Sequence, residues 1–457
     1  MEQWEQPIDT GKAPDDGSKF DVIVVGGGPG GAAAASYHAM NGCRVLMLEK
    51  GVWPRDKVCG DAVGGKSLSH VEELGVLPMI EATPHYVVDS ILFGSTNGSE
   101  VKVMLPKETY EAKGLLSGYA LPRIQFDYML FKRATEIVLE AGGSVIQGFS
   151  VNDVTVDGAN EGARILGVKG KTGGVRSEEP ELAFSAPLTI GAGGYNCPVS
   201  RTIAEVHEEP FRDDEHFCGG YREYWEDVGG LGDSEGPIEI HFIDEVLPGY
   251  FWLFPVRKGV VNVGIGMLIS EQRKQKGKKK SLKQIQKWVI EKHPRFKQRF
   301  ANATLVPKSQ KGWQLPFGSP RKNAPSFQPR RAAMAGAMAV GDAASLVDPF
   351  SGEGIGNALL TAKMTSRHFD KEVHSDGFPE DAAVAYMEDM WGELGKELTN
   401  STKLQKLMRR KRLTNWFIKK ASKKKEIGKM MSEMIASKES QEALWSPWFM
   451  FKTLILP

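Results

Sequence analysis

Two glycine-rich segments of the sequence are suited to holding the phosphates of a nucleotide. The first, Gly26-Gly27-Gly28-Pro29-Gly30-Gly31, follows the apolar run Phe20–Val25 and precedes the small residues Ala32–Ala35. A buried strand, a glycine turn and a helix in this order direct backbone N–H groups and a positive helix end at a pyrophosphate. The second, Gly341-Asp342-Ala343-Ala344, lies far downstream. The pairing of the two segments predicts an FAD site.

An acidic residue stands where such a site needs a partner for a ribose. The apolar run 44–48 predicts a second parallel strand, and Glu49 ends it. In dinucleotide-binding folds a carboxylate about 20 residues after the glycines accepts a hydrogen bond from the ribose 2′-OH. We therefore predict that Glu49 binds the cofactor.

The composition is that of a globular protein with room for a large pocket. The chain has 457 residues, of which 41% are hydrophobic and 25% charged, which suits two or three subdomains. Its four cysteines, Cys43, Cys59, Cys197 and Cys218, show no disulfide or metal-binding spacing, so we expect no metal and a reducing, cytoplasmic setting. No segment has the length and hydrophobicity of a membrane-spanning helix.

One segment near the C-terminus is strongly basic although the net charge is only +1. Residues 401–430 contain twelve Lys or Arg and a single acid, with apolar residues interspersed, and residues 273–299 form a second basic run. Such a stretch can lie on an anionic membrane surface, or it can be the solvated face of a helix. We expect peripheral membrane contact through these basic segments. The sequence has no recognisable nucleic-acid-binding motif, so we expect no nucleic-acid partner.

The order of patterns along the chain predicts an α/β fold in which the cofactor domain is interrupted. Its Rossmann-like FAD-binding domain carries an inserted antiparallel β substrate domain and a helical C-terminal region. We divide the chain into a disordered leader (1–18), the first part of the FAD-binding domain (19–215), a β-rich substrate domain (216–325), the return of the FAD-binding domain (326–375), and a basic, amphipathic helical region (376–457).

Local patterns predict individual elements. We expect a helical stretch that Ala120–Asp127 introduces and that runs to about Ala141, a strand over Val145–Val151, a last strand over Ala332–Val340 and a helix over Gly356–Phe369. The alternation of Val261, Val263, Ile265 and Met267 with Asn262, Gly264 and Gly266 predicts a strand with one apolar face.

This arrangement resembles the flavoprotein class that includes the aromatic hydroxylases. The resemblance implies that Asp342 lies near the ribityl and pyrophosphate of FAD, and that the helix after Gly354 and Ile355 points its N-terminus at the isoalloxazine. A positive helix end there stabilises an anionic reduced flavin. It further implies a cofactor contact by Arg123, and we include Val151 among the cofactor-binding residues.

Two further motifs resemble those of the geranylgeranyl reductase family, flavoenzymes that saturate isolated double bonds of prenyl chains. They are Lys57-Val58-Cys59-Gly60-Asp61-Ala62-Val63 and Leu247-Pro248-Gly249-Tyr250-Phe251-Trp252-Leu253-Phe254-Pro255. The resemblance, which spans about residues 20–416, is strongest to the archaeal digeranylgeranylglycerophospholipid reductases. It implies cofactor contacts by Cys59, Gly60 and Ala62, and a prenyl cavity lined by Pro248, Tyr250, Trp252, Phe254 and Pro255.

One position departs from the family pattern. The usual proline stands three residues before the tyrosine, whereas Pro248 stands two before Tyr250. The alternation of Tyr250, Trp252 and Phe254 puts them on one face of a strand, where they could equally form an ordinary sheet core.

The chemistry implied is reduction of an alkene by hydride from reduced flavin and a proton from elsewhere. Cys59 is the candidate for that proton transfer, and it could equally be a small buried residue in a turn. Asp61 and His241 are candidates only by residue type. NAD(P)H or a reduced ferredoxin would supply the electrons.

Several alternatives remain at the level of sequence. An aromatic monooxygenase or halogenase would share every cofactor motif, and a non-catalytic membrane-surface module would keep the fold alone. Within the family, the prenyl substrate could be an archaeal-type ether lipid, geranylgeranyl diphosphate, a chlorophyll precursor or a menaquinone. The resemblance favours the ether lipid.

Overall fold

The computed structural model describes residues 6–105, 118–159, 162–274, 280–321 and 329–423. The described part of the expected leader, 6–18, forms no helix and no long strand but contacts the domain behind it. Gln147 donates to the carbonyl oxygen of Ile8 (3.0 Å), and the Ala183 N–H donates to Asp16 (2.8 Å). These hydrogen bonds hold the segment along the surface of the fold.

Nineteen strands are described. They are β1 (Val22–Val25), β2 (Val45–Glu49), β3 (Ala62–Gly64), β4 (Tyr86–Gly94), β5 (Glu100–Met104), β6 (Gly118–Ala120), β7 (Ser144–Gln147), β8 (Phe149–Asp157), β9 (Arg164–Thr172), β10 (Leu182–Ser185), β11 (Leu188–Gly191), β12 (Phe217–Glu226), β13 (Glu235–His241), β14 (Tyr250–Arg257), β15 (Val260–Leu268), β16 (Thr304–Leu305), β17 (Lys311–Pro316), β18 (Ala333–Met334) and β19 (Ala337–Ala339).

The α-helices of the described residues complete the fold. They are α1 (Pro29–Met40), α2 (Lys66–Glu73), α3 (Leu77–Glu81), α4 (Arg123–Glu140), α5 (Pro198–Val206), α6 (Ile269–Lys274), α7 (Leu282–Lys292), α8 (Ile355–Arg367), α9 (Glu380–Met408) and α10 (Lys411–Ala421).

A six-stranded sheet in the order β18-β19-β11-β1-β2-β7 forms the centre of the cofactor domain. Strand β1 pairs in parallel with β2 and β11, and its four residues are all buried. Helix α1 is buried along almost its whole length because Ala32–Ala35 let its backbone approach the sheet closely. Parallel strands covered on both faces explain the continuous apolar run that predicted β1. Strands β10, β9 and β8 form a separate antiparallel sheet.

A ten-stranded sheet provides the second wall of the molecule, in the order β16-β12-β15-β14-β13-β4-β6-β3 with β17 on β12 and β5 on β4. Most pairs are antiparallel, but β13 pairs in parallel with β4. The sheet therefore includes strands from 62–120, a segment that the sequence analysis assigned to the cofactor domain. Strand β15 has the predicted apolar face, since Val261, Val263 and Ile265 pack in one buried cluster with α7.

Two local expectations need correction. The strand expected over Val145–Val151 is two strands, β7 and β8, because Gly148 has φ +71° and turns the chain between them. The last strand expected over Ala332–Val340 is the short hairpin β18–β19, turned at Gly336 with φ +80°. In both segments a glycine takes the left-handed conformation that other residues avoid.

The C-terminal region is helical as far as it is described, with α9 running to Met408 and α10 to Ala421. Helix α10 buries Thr414, Ile418 and Ala421 and turns its basic residues outward. The remainder of the predicted helical region, 424–457, lies outside the described residues. Across the described helices, none carries an apolar stretch that could span a bilayer.

Candidate cofactor and substrate site

One large cavity lies where the carboxyl ends of β1, β2 and β11 face the ten-stranded sheet. Its volume is about 1590 Å³. Most of the residues that the sequence predicted for the site line it: Gly26, Gly28, Gly30, Glu49, Cys59, Gly60, Ala62, Arg123, Val151, Pro248, Tyr250, Trp252, Phe254, Asp342, Gly354 and Ile355. Gly31 and Pro255 do not line it. The structure thus brings the predicted cofactor and substrate residues into a single space.

The first glycine segment has the geometry of a phosphate-binding turn. Gly26 has φ +110°, and a Cβ on Gly31 would lie 1.7 Å from the carbonyl oxygen of Gly26, so both positions require glycine for the turn itself. A Cβ on Gly28 would meet only Arg55, at 3.7 Å. Gly28 therefore leaves open space at the N-terminus of α1, and this cradle fits the pyrophosphate of FAD.

Glu49 is held in place at the edge of this cradle. Its carboxylate accepts hydrogen bonds from the N–H groups of Gly27 (2.6 Å) and Gly51 (2.7 Å), and it pairs with Arg55 (3.0 Å). Since these contacts fix the carboxylate at the end of β2, it is positioned for a ribose hydroxyl on the cavity side.

The second glycine segment approaches the same cavity from β19. Asp342 forms an ion pair with Lys57 (3.1 Å), and helix α8 begins at Ile355 with its N-terminus at the cavity. Glu353, which the sequence analysis did not single out, accepts a hydrogen bond from the Gly356 N–H (2.5 Å). Burial raises the pKa of Glu353. A negative charge on it would offset the positive end of α8.

Arg123 is buried rather than exposed on a helix surface. Its guanidinium binds Asp127 through two hydrogen bonds, Nε to Oδ1 (2.6 Å) and Nη2 to Oδ2 (2.7 Å). Burial opposes the charged form, but Asp127 and the neighbouring Cys59 thiol raise the pKa of Arg123 well above its ordinary value. Arg123 is therefore a permanently charged group at the wall of the cavity, beside Cys59.

The aromatic residues of β14 face the cavity together, as their alternation predicted. Tyr250 donates its hydroxyl hydrogen to the carbonyl oxygen of Ser351, and Trp252 donates its indole N–H to Asn262 (2.8 Å). The Trp252 ring packs flat against Gly264, where a Cβ would lie 2.0 Å from Cζ2. Both polar groups of this wall are thus satisfied by protein, and the surface left to the cavity is apolar.

The cavity continues from this aromatic wall to the C-terminal helices. Its far part is enclosed by apolar side chains of the large sheet and of α9 and α10: Val88, Ile91, Phe93, Leu105, Ile238, Ile240, Phe242, Leu404, Leu407, Met408, Leu413, Trp416, Phe417 and Ile418. Since these side chains are apolar, this part of the cavity suits a long hydrocarbon chain. Helix α9 also brings polar groups to the same cavity, among them Glu393, Glu397 and Asn400.

The two acids suggested by residue type differ in location. His241 is fully buried against Glu239 (2.7 Å) and Phe296 and does not line the cavity. Asp61 is also fully buried, directly behind the Cys59-Gly60 turn, where it accepts hydrogen bonds from Tyr224 (2.6 Å) and Asn262 (2.7 Å). Neither partner lies near Asp61 in the chain, so no local pattern of the sequence predicts these two hydrogen bonds.

Comparison with known proteins gives the fold and the family. Residues 19–215 match the FAD binding domain family, and residues 221–305 match the geranylgeranyl reductase catalytic domain. A flavin-dependent brominase superposes with a TM-score of 0.67 at 17% identity, covering 92% of this chain and 94% of its own. A geranylgeranyl bacteriochlorophyll reductase-like protein from Thermoplasma acidophilum superposes with a TM-score of 0.67 at 19% identity, covering 96% and 98%.

Curated relatives are similar over most of their length. Digeranylgeranylglycerophospholipid reductase 1 of Methanococcoides burtonii is 28% identical over 396 residues, 84% of this chain and 82% of its own. Menaquinone reductase of Mycolicibacterium smegmatis is 26% identical over 360 residues, 76% of each chain.

The fold and the cofactor domain define a flavoprotein of the aromatic hydroxylase and halogenase type. Within that class, the catalytic-domain match and the named relatives place the chain more narrowly. The protein belongs to the geranylgeranyl reductase family of FAD-dependent oxidoreductases.

Proposed function

We propose that the protein reduces isolated C=C bonds in the geranylgeranyl chains of an archaeal-type ether lipid. The observation that carries this proposal is the apolar extension of the cavity, which runs from the Cys59-Gly60 turn past Tyr250, Trp252 and Phe254 to α9 and α10. A prenyl chain forms no hydrogen bonds, so its binding energy comes from buried apolar area, about 25 cal/mol per Å². An aromatic and aliphatic wall of this length supplies that area.

The residues that bind the cofactor in this proposal are those of the two glycine segments, with Glu49 at the ribose and Asp342 near the ribityl chain. Bound FAD supplies hydride chemistry at its isoalloxazine. The protein's part is to hold the alkene beside that ring and to exclude water from it. The Tyr250 hydroxyl and the Trp252 indole serve this purpose because the hydrogen that each can donate is already bound within the protein.

The proton for the second alkene carbon requires a donor at the same wall. Cys59 is the candidate, since its side chain is partly exposed at the cavity and lies beside the Arg123 guanidinium. The Tyr250 hydroxyl is a poorer acid because burial raises its pKa. We propose that the Cys59 thiol donates the proton and recovers it from solvent through the cavity.

The proposal also includes a source of electrons for the flavin and a contact with the membrane that holds the substrate. NAD(P)H or a reduced ferredoxin would reduce the flavin between turnovers. Arg412 and Lys419 of α10 and Lys423 just after it are exposed, and Trp416 and Phe417 of the same helix line the cavity. This arrangement supports peripheral contact with an anionic bilayer from which a lipid chain could enter.

The experiment that tests the proposal is anaerobic reoxidation. The protein is reconstituted with FAD, reduced by dithionite, and mixed in parallel with digeranylgeranylglycerophospholipid, geranylgeranyl diphosphate and a menaquinone. We expect the ether lipid to reoxidise the flavin fastest and to gain two hydrogen atoms per double bond by mass spectrometry. Because the quinone head can itself oxidise reduced flavin, only a menaquinone tail that gains two hydrogen atoms per double bond, in preference to the ether lipid, would assign the site to quinone tails instead.

A flavin-dependent brominase shares the fold, which makes an oxygen-dependent reaction the second candidate. It predicts a different outcome of the same experiment. If the reduced flavin persists with every prenyl substrate and reoxidises only when oxygen is admitted, the reductase proposal is wrong.

A further inference from the structure

Asp61 is a buried carboxylate that the proposed reaction leaves without a task. Its side chain has no exposed surface, and its φ of +69° places the backbone in the left-handed region. The residues on either side, Gly60 and Ala62, line the cavity, whereas Asp61 points away from it. Asp61 thus anchors the back of a turn whose front faces the site.

Three donors converge on this carboxylate. Oδ2 accepts from the Tyr224 hydroxyl (2.6 Å) and the Asn262 side-chain amide (2.7 Å), and Oδ1 accepts from the Arg123 backbone N–H (3.3 Å). The buried Arg222 guanidinium lies over the Tyr224 ring at 4.3 Å. In each of the three hydrogen bonds the Asp61 carboxyl oxygen is the acceptor, so the group is held from both of its oxygens.

Asn262 transmits this arrangement to both walls of the cavity. Its amide nitrogen donates to Asp61 and to the Cys59 carbonyl oxygen (2.7 Å). With both N–H groups committed, the amide oxygen must face the other way, where it accepts from Trp252 Nε1 (2.8 Å). The carboxylate therefore fixes the orientation of the Asn262 amide, and through it the Cys59 turn and the Trp252 ring.

We propose that Asp61 is a positioning residue that holds the Cys59-Gly60 turn and the Trp252 ring in register across the cavity. The role rests on the proposed function, because register matters only if a substrate lies between the turn and the ring. Asp61 does not reach the cavity itself, so it acts through Asn262 rather than on the substrate.

The test uses the FAD-bound protein and Asp61→Asn. Asparagine also tolerates positive φ, so the variant changes the hydrogen bonds and the charge without straining the backbone. The NH₂ group of the asparagine must face at least one of the groups that donate a hydrogen bond to the carboxylate, so at least one of these hydrogen bonds is lost. We expect the rate of Cys59 alkylation by iodoacetamide, measured on its peptide by mass spectrometry, to rise about tenfold as the turn loosens. Alkylation of the buried Cys43 is the internal reference.

A matched pair on β12 keeps the test valid if Asp61→Asn does not fold. Tyr224→Phe removes one hydrogen bond to Asp61, whereas Tyr221→Phe removes a hydroxyl that bonds Glu223 (2.8 Å) and does not touch Asp61. We expect faster Cys59 alkylation in Tyr224→Phe and the wild-type rate in Tyr221→Phe. Wild-type rates in both Asp61→Asn and Tyr224→Phe would overturn the proposal.

Kinetics separates positioning from chemistry. If Asp61 sets the shape of the substrate wall, Asp61→Asn raises KM for the prenyl lipid about tenfold and changes kcat less than about twofold. A fall in kcat at unchanged KM would overturn the positioning role and give Asp61 a part in proton transfer. The alkylation arm needs no substrate, so it still decides the role of Asp61 if the prenyl lipid is not turned over.

Discussion

Gly60 and Phe254 are in contact at the wall of the cavity: a Cβ on Gly60 would lie 2.6 Å from Cε2 of the Phe254 ring. The two residues come from the two motifs that indicated the family. Most strands of the ten-stranded sheet lie between them in the sequence. Glycine is required at this position by the ring opposite rather than by backbone conformation. The substrate wall and the Cys59 turn are therefore packed against each other.

Gly60→Ala should push the Phe254 ring out of its place. Inserting a methyl group into a packed contact costs about 1–3 kcal/mol, so we expect a lower Tm and a higher KM for the prenyl substrate. Phe254→Leu in the same chain should relieve the clash and recover most of the lost stability. The measurement is a double-mutant cycle by thermal unfolding and steady-state kinetics. Additive effects of the two substitutions would contradict direct packing.

Substitutions at Gly28 and Gly31 should distinguish effects on cofactor binding from effects on folding. A Cβ on Gly28 meets no backbone, whereas one on Gly31 collides with the Gly26 carbonyl oxygen at 1.7 Å. Gly28→Ala should therefore leave the Tm of the apoprotein unchanged but weaken FAD binding at least about tenfold, because its methyl group occupies the phosphate cradle. Gly31→Ala should lower both the Tm of the apoprotein and the affinity for FAD. Titration of apoprotein with FAD, followed by flavin fluorescence, checks this prediction. Wild-type affinity in Gly28→Ala would place the pyrophosphate elsewhere.

Cys59→Ala tests proton donation. If the thiol supplies the proton, kcat for alkene reduction should fall by about two orders of magnitude, the scale of general acid catalysis, while FAD binding stays the same. Stopped-flow reoxidation of the reduced flavin by the prenyl lipid measures the step. Cys197→Ala, at a buried thiol that does not line the cavity, is the control. Unchanged turnover in Cys59→Ala would remove Cys59 from the chemistry.

The raised pKa of Asp61 should make the free energy of unfolding depend on pH. Burial raises its pKa from 3.8 to about 6, against the opposing effects of Arg222, Tyr224 and Asn262, with nearby Asp56 raising it further. A raised pKa means that the folded protein favours the protonated form, so the group's stabilising contribution is full below about pH 4 and is lost as pH rises through 6. Ionised Asp61 then costs on the order of 3 kcal/mol.

Asp61→Asn mimics the protonated form at every pH. We expect the free energy of unfolding of the variant, relative to that of wild type, to increase from pH 4 to pH 8, which denaturant titrations at the two pH values measure. A constant difference across this range would mean that Asp61 is already ionised at pH 4. Above pH 6 the variant should therefore gain stability relative to wild type while its KM for the prenyl lipid stays higher than that of wild type.

The sequence predicted those parts of the site that local patterns encode. The glycine turn, the Glu49 strand end and the shared face of Tyr250, Trp252 and Phe254 each follow from residues close together in the chain, and the structure brings them to one cavity. Period two was enough to place three aromatic rings on one side of β14.

The rest depends on long-range pairing that leaves no local pattern. Asp61 meets Tyr224 and Asn262 only because β12 and β15 lie beside each other in the large sheet. The parallel pairing of β4 with β13, which extends that sheet into 62–120, has no signature in either strand. Gly148 and Gly336 did mark turns, but an isolated glycine within an apolar run does not by itself distinguish a turn from a continuous strand.

The basic face of α10 predicts binding to anionic vesicles. Lys419 in α10 and Lys423 just beyond its C-terminal end are both exposed, and each cation near an anionic surface contributes about 1 kcal/mol. Lys419→Glu with Lys423→Glu should therefore reduce co-sedimentation with phosphatidylglycerol vesicles more than tenfold. Turnover of a short, water-soluble prenyl substrate should stay the same, since neither residue lines the cavity.

The control carries the same change in charge on another surface. Lys258 and Lys287 are highly exposed and belong to other elements than α10. Lys258→Glu with Lys287→Glu alters net charge equally and should leave vesicle binding near the wild-type value. Equal losses in both double variants would show that total charge, and not the face of α10, draws the protein to the membrane. Vesicle binding that also persists at high salt would indicate that apolar side chains insert into the membrane. Trp416 would then be the first residue to replace, because its side chain is 37% exposed and lies beside Lys420.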